Sequence, residues 1–232
     1  MKRLYILGLG LCGGHITLEA IKAVRQCGAV ILGGADADTL GALKTFAPAA
    51  RIYTVRPDGA EEAACAALKK FDTVGFCVYG APFFMNLQSG ALVKAAGRSG
   101  AELITVCGVS SFDAVAAVMR MERFSPHGIC LIKGADGDET ALNPRCDTFI
   151  FYAHLFRQFP EKMKKITVRV AELYPPVHKI YEIEFNPAGG HSEKNVRRAA
   201  DIESILEHAG DRTTLFIPYL YRKFAGSRGR RG

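Results

Sequence analysis

Residues 4–15, LYILGLGLCGGH, begin as an apolar run and break into glycines at Gly8, Gly10 and Gly13. The run has the length of a buried strand. The G-x-G-x-x-G spacing lets a backbone without Cβ atoms turn tightly and approach another group closely. Residues 15–28, HITLEAIKAVRQCG, predict a helix with Ile16, Ala20, Ala23 and Val24 near one face and Gly28 as its stop. Strand, glycine turn and helix in that order open a parallel α/β sheet. The question is which ligand the glycines serve.

Reading outward, the alternation continues. Residues 29–34 (AVILGG) and 51–55 (RIYTV) read as strands, and residues 58–71 (DGAEEAACAALKKF) as an Ala-rich helix capped by Asp58. Residues 73–80 (TVGFCVYG) are apolar throughout, as expected of a strand covered on both faces. A helix over 86–100, a strand over 101–108 and a Ser-capped helix over 110–121 follow. The style changes at residues 121–128, MERFSPHG, which read as a linker. Beyond it, residues 128–134, 147–156, 165–174, 178–185 and 213–220 are strand candidates, with a helix over 194–210 before the last. The expected fold class is α/β in two domains: a parallel α/β domain over 1–120 and a mixed α/β domain over 121–219. A basic tail over 220–232 completes the chain.

The 232 residues can bury a substantial core, and 49% hydrophobic with 23% charged residues is ordinary globular composition. No apolar stretch approaches a membrane span of about 20 residues, and no signal-peptide pattern follows Lys2 and Arg3. A cytoplasmic protein with no membrane partner is expected. The seven cysteines form no C-x-x-C pair and read as reduced, mostly buried thiols. The net charge is +7, but Arg222, Lys223, Arg228, Arg230 and Arg231 supply five of those charges, leaving the body near +2. The tail alone does not make a nucleic-acid site.

A dinucleotide fits the glycines, and Asp36 stands where a ribose-binding acid belongs. That reading of an NAD-binding dehydrogenase-type domain also requires a hydride-transfer set in the second half, and none stands out. Three ordered stretches point elsewhere: residues 5–31, residues 74–117 (VGFCVYGAPFFMNLQSGALVKAAGRSGAELITVCGVSSFDAVAA) and residues 213–219 (TTLFIPY). The middle one pairs a strand ending in G-x-P-F-F with a strand ending in G-V-S-S. Together they resemble the tetrapyrrole (corrin/porphyrin) methylase family of S-adenosyl-L-methionine (SAM)-dependent methyltransferases, over residues 4–219. The resemblance implies a two-domain homodimer with the cofactor folded in a cleft between the domains. It places Gly8 and Gly10 at the cleft floor. Tyr79, Gly80, Ala81, Pro82, Phe83 and Phe84 would lie along the methionine side, and Gly108, Val109, Ser110 and Ser111 in a second contacting loop. Ser110 and Ser111 also suit simple helix capping, and Tyr79 and Phe84 suit core packing.

Residues 128–137 (GICLIKGADG), 146–156 (CDTFIFYAHLF) and 213–219 resemble one branch, that of MazG-linked methylase-like domains and borosin peptide-backbone N-methyltransferases. On that match Tyr152 and Ala153 line the adenine site, Tyr181 sits nearby, and Thr213 and Thr214 close it. The pattern departs at Ala81, where the family carries an Asp or a His. It departs again in the short segment 51–70, where Tyr53 and Arg56 are the only remnants of a Tyr- and Arg-rich stretch. The acceptor stays open between a peptide amide and a tetrapyrrole-like small molecule. Tyr79 is the catalytic candidate, orienting the acceptor or the methyl group. A non-catalytic SAM- or partner-binding module with the same fold is the alternative. No metal site is expected from the six scattered histidines. Asp136, Asp138 and Glu139 read as a polar turn rather than a calcium loop, and residues 186–195, NPAGGHSEKN, as a Gly-rich connection.

Overall fold

The structure is a computed structural model and describes residues 1–34, 37–134, 138–190 and 192–220. Asp36, Asp136, His191 and the basic tail from residue 221 lie outside the described residues. The described residues form two compact units: Met1–Arg120 with Glu184–Glu193, and Met121–Ile183 with residues 194–220.

The first unit holds β1 (Arg3–Gly8), β2 (Ala29–Gly33), β3 (Arg51–Val55), β4 (Thr73–Val78) and β5 (Glu102–Val106) in the order β3-β2-β4-β1-β5, every neighbouring pair parallel. Its helices are α1 (Leu18–Val24), α2 (Ala37–Phe46), α3 (Ala60–Leu68), α4 (Ser89–Ser99) and α5 (Ser111–Val118). Strand alternation sends Leu4, Ile6, Ile31, Phe76 and Val78 to a core with α3 and α4. It sends Tyr5, Leu7, Val30, Leu32 and Cys77 to a second core with Ala20, Val24 and Leu43 of α1 and α2. Both faces are covered, which explains the unbroken apolar strands. The connection after β1 runs towards β2 and that after β4 runs towards β5, in opposite directions past each other. The carboxyl ends of β1 and β4 therefore flank a topological switch point, where open α/β sheets place ligands.

The second sheet holds β6 (Ile129–Lys133), β7 (Asp147–Phe151), β8 (Lys179–Glu184), β9 (Glu193–Arg198) and β10 (Thr213–Ile217), ordered β6-β7-β10-β8-β9. β6 and β7 are parallel while β7 and β10 are antiparallel, so the sheet is mixed. α6 (Pro160–Leu173) and α7 (Ile202–His208) pack Ile166, Val170, Ile202 and Leu206 onto Ile150, Ile180 and Leu215. The buried Asp147 carboxylate accepts the N–H groups of Ser125 (2.6 Å) and Tyr219 (3.1 Å), tying the linker and the end of β10 to β7. No helix among the described residues is long and apolar enough to cross a membrane.

Several expectations are corrected. Residues 165–174, rich in β-branched side chains, belong to α6 and its C-cap, not to a strand. Tertiary burial of Ile166, Val170 and Tyr174 at helical spacing outweighs β-propensity, and Pro160 starts the helix. Residues 193–198 form the exposed strand β9, and the helix expected from 194 begins only at Ile202. Helix α1 starts at Leu18 because the Thr17 side chain accepts the Ala20 N–H. Gly28 is no left-handed stop; a Cβ there would meet the Phe71 ring at 2.9 Å. Asp58 lies in a short 3-10 turn, and Gly59, not Asp58, takes the N-cap of α3. Asp138 caps a 3-10 turn over Glu139–Ala141 by accepting the Thr140 N–H. Cys12, Cys27, Cys77 and Cys146 are buried free thiols, while Cys107 is exposed.

Candidate functional site

Three loops leave the carboxyl ends of β1, β4 and β5 within the first unit. Their glycines pack on one another. A Cβ on Gly8 would meet Gly108 N at 2.6 Å and Gly80 O at 2.8 Å; one on Gly108 would meet Gly8 C and Gly80 O at 2.6 Å. Gly10 and Gly80, at φ of +72° and +73°, pair as an antiparallel bridge through N–H to carbonyl bonds of 3.3 and 2.8 Å. Only glycine takes these angles without strain. The Leu9 N–H is used by the Val78 carbonyl and the Leu11 N–H by His15 Nδ1.

This geometry departs from the dinucleotide alternative. A pyrophosphate turn needs backbone N–H groups aimed at the ligand and a helix opening directly behind them. Here the Leu9, Gly10 and Leu11 donors are consumed inside the protein. A 3-10 turn, Gly13–His15, separates the glycines from α1.

The G-x-P-F-F loop is held by its own side chains. Asn86 donates to the Tyr79 carbonyl (3.4 Å) and accepts the Gln88 N–H (2.8 Å), and the Ser89 hydroxyl donates to the Pro82 carbonyl. Gln88 is buried, with its carboxamide where a Gly33 Cβ would stand. Tyr79, Ala81, Phe84 and Met85 are half-buried, Pro82 is buried and Phe83 is exposed. Tyr79 and Gly10 line a cavity of about 10 Å3, the size of a single water. In the G-V-S-S loop, Ser110 is buried and builds a capping box. Its hydroxyl donates to Asp113 (2.6 Å) and accepts the Asp113 N–H (3.1 Å), so the capping reading accounts for both its bonds. Ser111 is half-buried and takes no part in the box. Phe84 and Phe112, with centroids 6.0 Å apart, join the two loops. Asn86, Ser89 and Phe112 were missed by the sequence reading. The Asn86 and Ser89 side chains bond to main-chain groups up to seven residues away, which spacing alone does not signal.

Residues 78–88 and 106–112 contain no lysine, arginine, aspartate or glutamate. The loops thus offer aromatic walls and backbone dipoles without a cation. That suits a positively charged sulfonium beside a methionine chain and suits a pyrophosphate poorly.

In the second unit, Tyr152 ends β7 in the left-handed region (φ 54°), and burial raises its phenol above the ordinary tyrosine range. Ala153 is fully buried, and a Cβ on Gly134 would meet the Tyr152 carbonyl at 2.1 Å. Continuing the β7–β10 register sets Thr213 opposite Tyr152. Neighbours on a strand point to opposite faces. The Thr213 hydroxyl accepts the Gly210 N–H, while Thr214 shares the face of Phe216, on which Tyr181 stacks at 6.1 Å. Thr213 and Thr214 therefore do not line one surface. Tyr53, the expected remnant of a base-bearing segment, lies in mid-strand on β3 against α3, away from the strand ends that carry the three loops. Among the described residues no group of three or more His, Cys, Asp or Glu could hold a metal.

The family model described as Tetrapyrrole (Corrin/Porphyrin) Methylases matches residues 3–182. No curated protein sequence matches the chain. Among solved structures, the chain is similar to the cobalamin biosynthetic enzyme cobalt precorrin-4 methyltransferase CbiF (TM-score 0.73, 18% identity, 93% of this chain and 94% of that one). It is similar to the methyltransferase CobJ (TM-score 0.73, 15% identity, 97% and 98%). It is also similar to uroporphyrin-III-C-methyltransferase from Thermus thermophilus (TM-score 0.68, 18% identity, 94% and 92%). At these identities the structural likeness speaks for the fold.

Proposed function

The chain belongs to the tetrapyrrole (corrin/porphyrin) methylase family, and from that premise we propose that it transfers a methyl group from SAM to an electron-rich carbon of a tetrapyrrole-like acceptor. The observation that carries this reading is the set of three uncharged loops locked together by Gly8, Gly10, Gly80 and Gly108 at the switch point.

The residues present fit the cofactor. Phe84 and Phe112 offer an apolar wall to a thioether and methyl group, and the backbones of Ala81 and Val109 offer polar contacts to an amino-acid end. Ser111 offers a hydroxyl. When bound, SAM supplies an electrophilic methyl group. The chain positions rather than activates: the loops hold the acceptor in line, Tyr79 orients it, and Phe84 with Phe112 keep water out.

The segments over 128–137, 146–156 and 213–219 also support a place on the branch with the MazG-linked domains and peptide N-methyltransferases. An amide nitrogen must lose a proton before it attacks, which requires a base or an imidate-stabilising site. Position 81 is alanine, the loops lack acids, and Tyr53 lies on β3 away from them. A carbon nucleophile needs no such group before attack, so it is the acceptor favoured here. The test is incubation of the intact protein with methyl-labelled SAM and either a uroporphyrinogen-type tetrapyrrole or a peptide. Label in the tetrapyrrole alone is expected. Label in the peptide alone overturns the acceptor assignment, and binding of SAM without transfer to either favours the non-catalytic module.

A further inference from the structure

A cavity in the first unit lies apart from the glycine loops, between the sheet edge and α3. Its volume is about 210 Å3. Alanines cause it: α3 presents Ala63 and Ala67 where longer side chains would fill the space against Ile31, Val55 and Phe71. A 150 Å3 apolar cavity is enough to hold benzene, so this one admits a single aromatic ring with a short substituent. Of the residues lining it, Tyr53 and Lys70 carry polar groups, and both are exposed. Arg51 stands over the ring of the wall residue Phe71, 5.7 Å from its centroid. Among the described residues neither Lys70 nor Arg51 has an ion pair.

We propose that this cavity is a second small-molecule site, selective for a single-ring aromatic carboxylate. The ring replaces water against the alanine shelf and Phe71, where apolar burial drives binding. The carboxylate stays at the half-wet mouth, where Lys70 supplies the opposite charge. A neutral ring gains the burial without the charge, and a longer aliphatic chain outgrows the space. None of the wall residues belongs to the three glycine loops, so occupancy is independent of the cofactor reading.

The test is a methyl NMR titration of the intact protein, labelled at alanine and isoleucine, with benzoate and with benzamide. Benzoate is expected to give saturable shifts at Ala63, Ala67 and Ile31 and to bind about fivefold more tightly than benzamide, the scale of one exposed ion pair. Lys70→Met removes that preference while keeping the shifts. Ala63→Leu fills the cavity and abolishes them; should that variant not fold, Ala66→Leu at the rim serves the same purpose. Absence of saturable shifts with either probe, or equal affinity for both in the unmodified chain, overturns the proposal.

Discussion

A missing Cβ at Gly8 and at Gly108 is required by the other's backbone, at separations of 2.6 Å that no side chain could tolerate. Because backbone stands on both sides, neither strand end can move aside cheaply. Gly108→Ala is expected to destabilise the protein by at least about 2 kcal/mol and to abolish cofactor binding, as read by urea unfolding and calorimetry. Gly13 differs: a Cβ there meets the Ala42 methyl group at 3.5 Å and the Asp38 carbonyl at 3.9 Å, both ordinary contacts. Gly13→Ala should therefore fall within about 0.5 kcal/mol of the parent, and a loss as large as that of Gly108→Ala would show that the third glycine of the motif is as constrained as the others. Under the proposed function Tyr79 orients the acceptor, a role separate from the packing of these glycines. Tyr79→Phe should lower turnover while changing cofactor affinity little, and unchanged turnover would remove it from the site. The glycine spacing was visible in the sequence, but its meaning was not. A pattern along the chain does not say whether the close partner is a ligand or another stretch of backbone.

Elements differ in how plainly they show in the sequence. The parallel strands are visible because both faces are buried, so apolar runs such as 73–80 have no other reading. Helix α2 escaped notice because it buries only Thr39 and Leu43, too narrow a stripe to register. Helix α6 was hidden by its β-branched residues, although Ile166, Val170 and Tyr174 already stood four apart. At the threonines, period two alone separates Thr213 from Thr214. One link between elements carries a pH dependence. His178, just before β8, bonds through Nε2 to the Pro218 carbonyl (2.8 Å) beyond β10 and stacks on Tyr174. Burial lowers its pKa, outweighing the opposing bond to Pro218. The folded state thus favours neutral His178, so this contribution is full above about pH 6.5 and declines as pH falls towards the lowered folded value. Between pH 7.5 and 5.5 the parent should lose more stability than His178→Gln in urea unfolding. Equal losses would show that His178 is not the group responsible.

At the scale of the molecule, the family-model match over residues 3–182 shows the family, and the fold rests on long-range order: a switch point between β1 and β4 and a mixed second sheet. The passage from the first compact unit to the second falls at residue 121, where the sequence turns to the stretch MERFSPHG. The return of residues 184–193 to the first unit could not be anticipated, because it depends on tertiary contacts that leave no periodic trace. Under the proposed function the glycine loops receive the adenosyl-sulfur cofactor and not a dinucleotide. Isothermal titration of the intact chain with S-adenosylhomocysteine and, separately, with NADH distinguishes the two ligands. Saturable binding of S-adenosylhomocysteine with no heat of binding from NADH is the predicted result; saturable binding of NADH with none of S-adenosylhomocysteine would contradict the account.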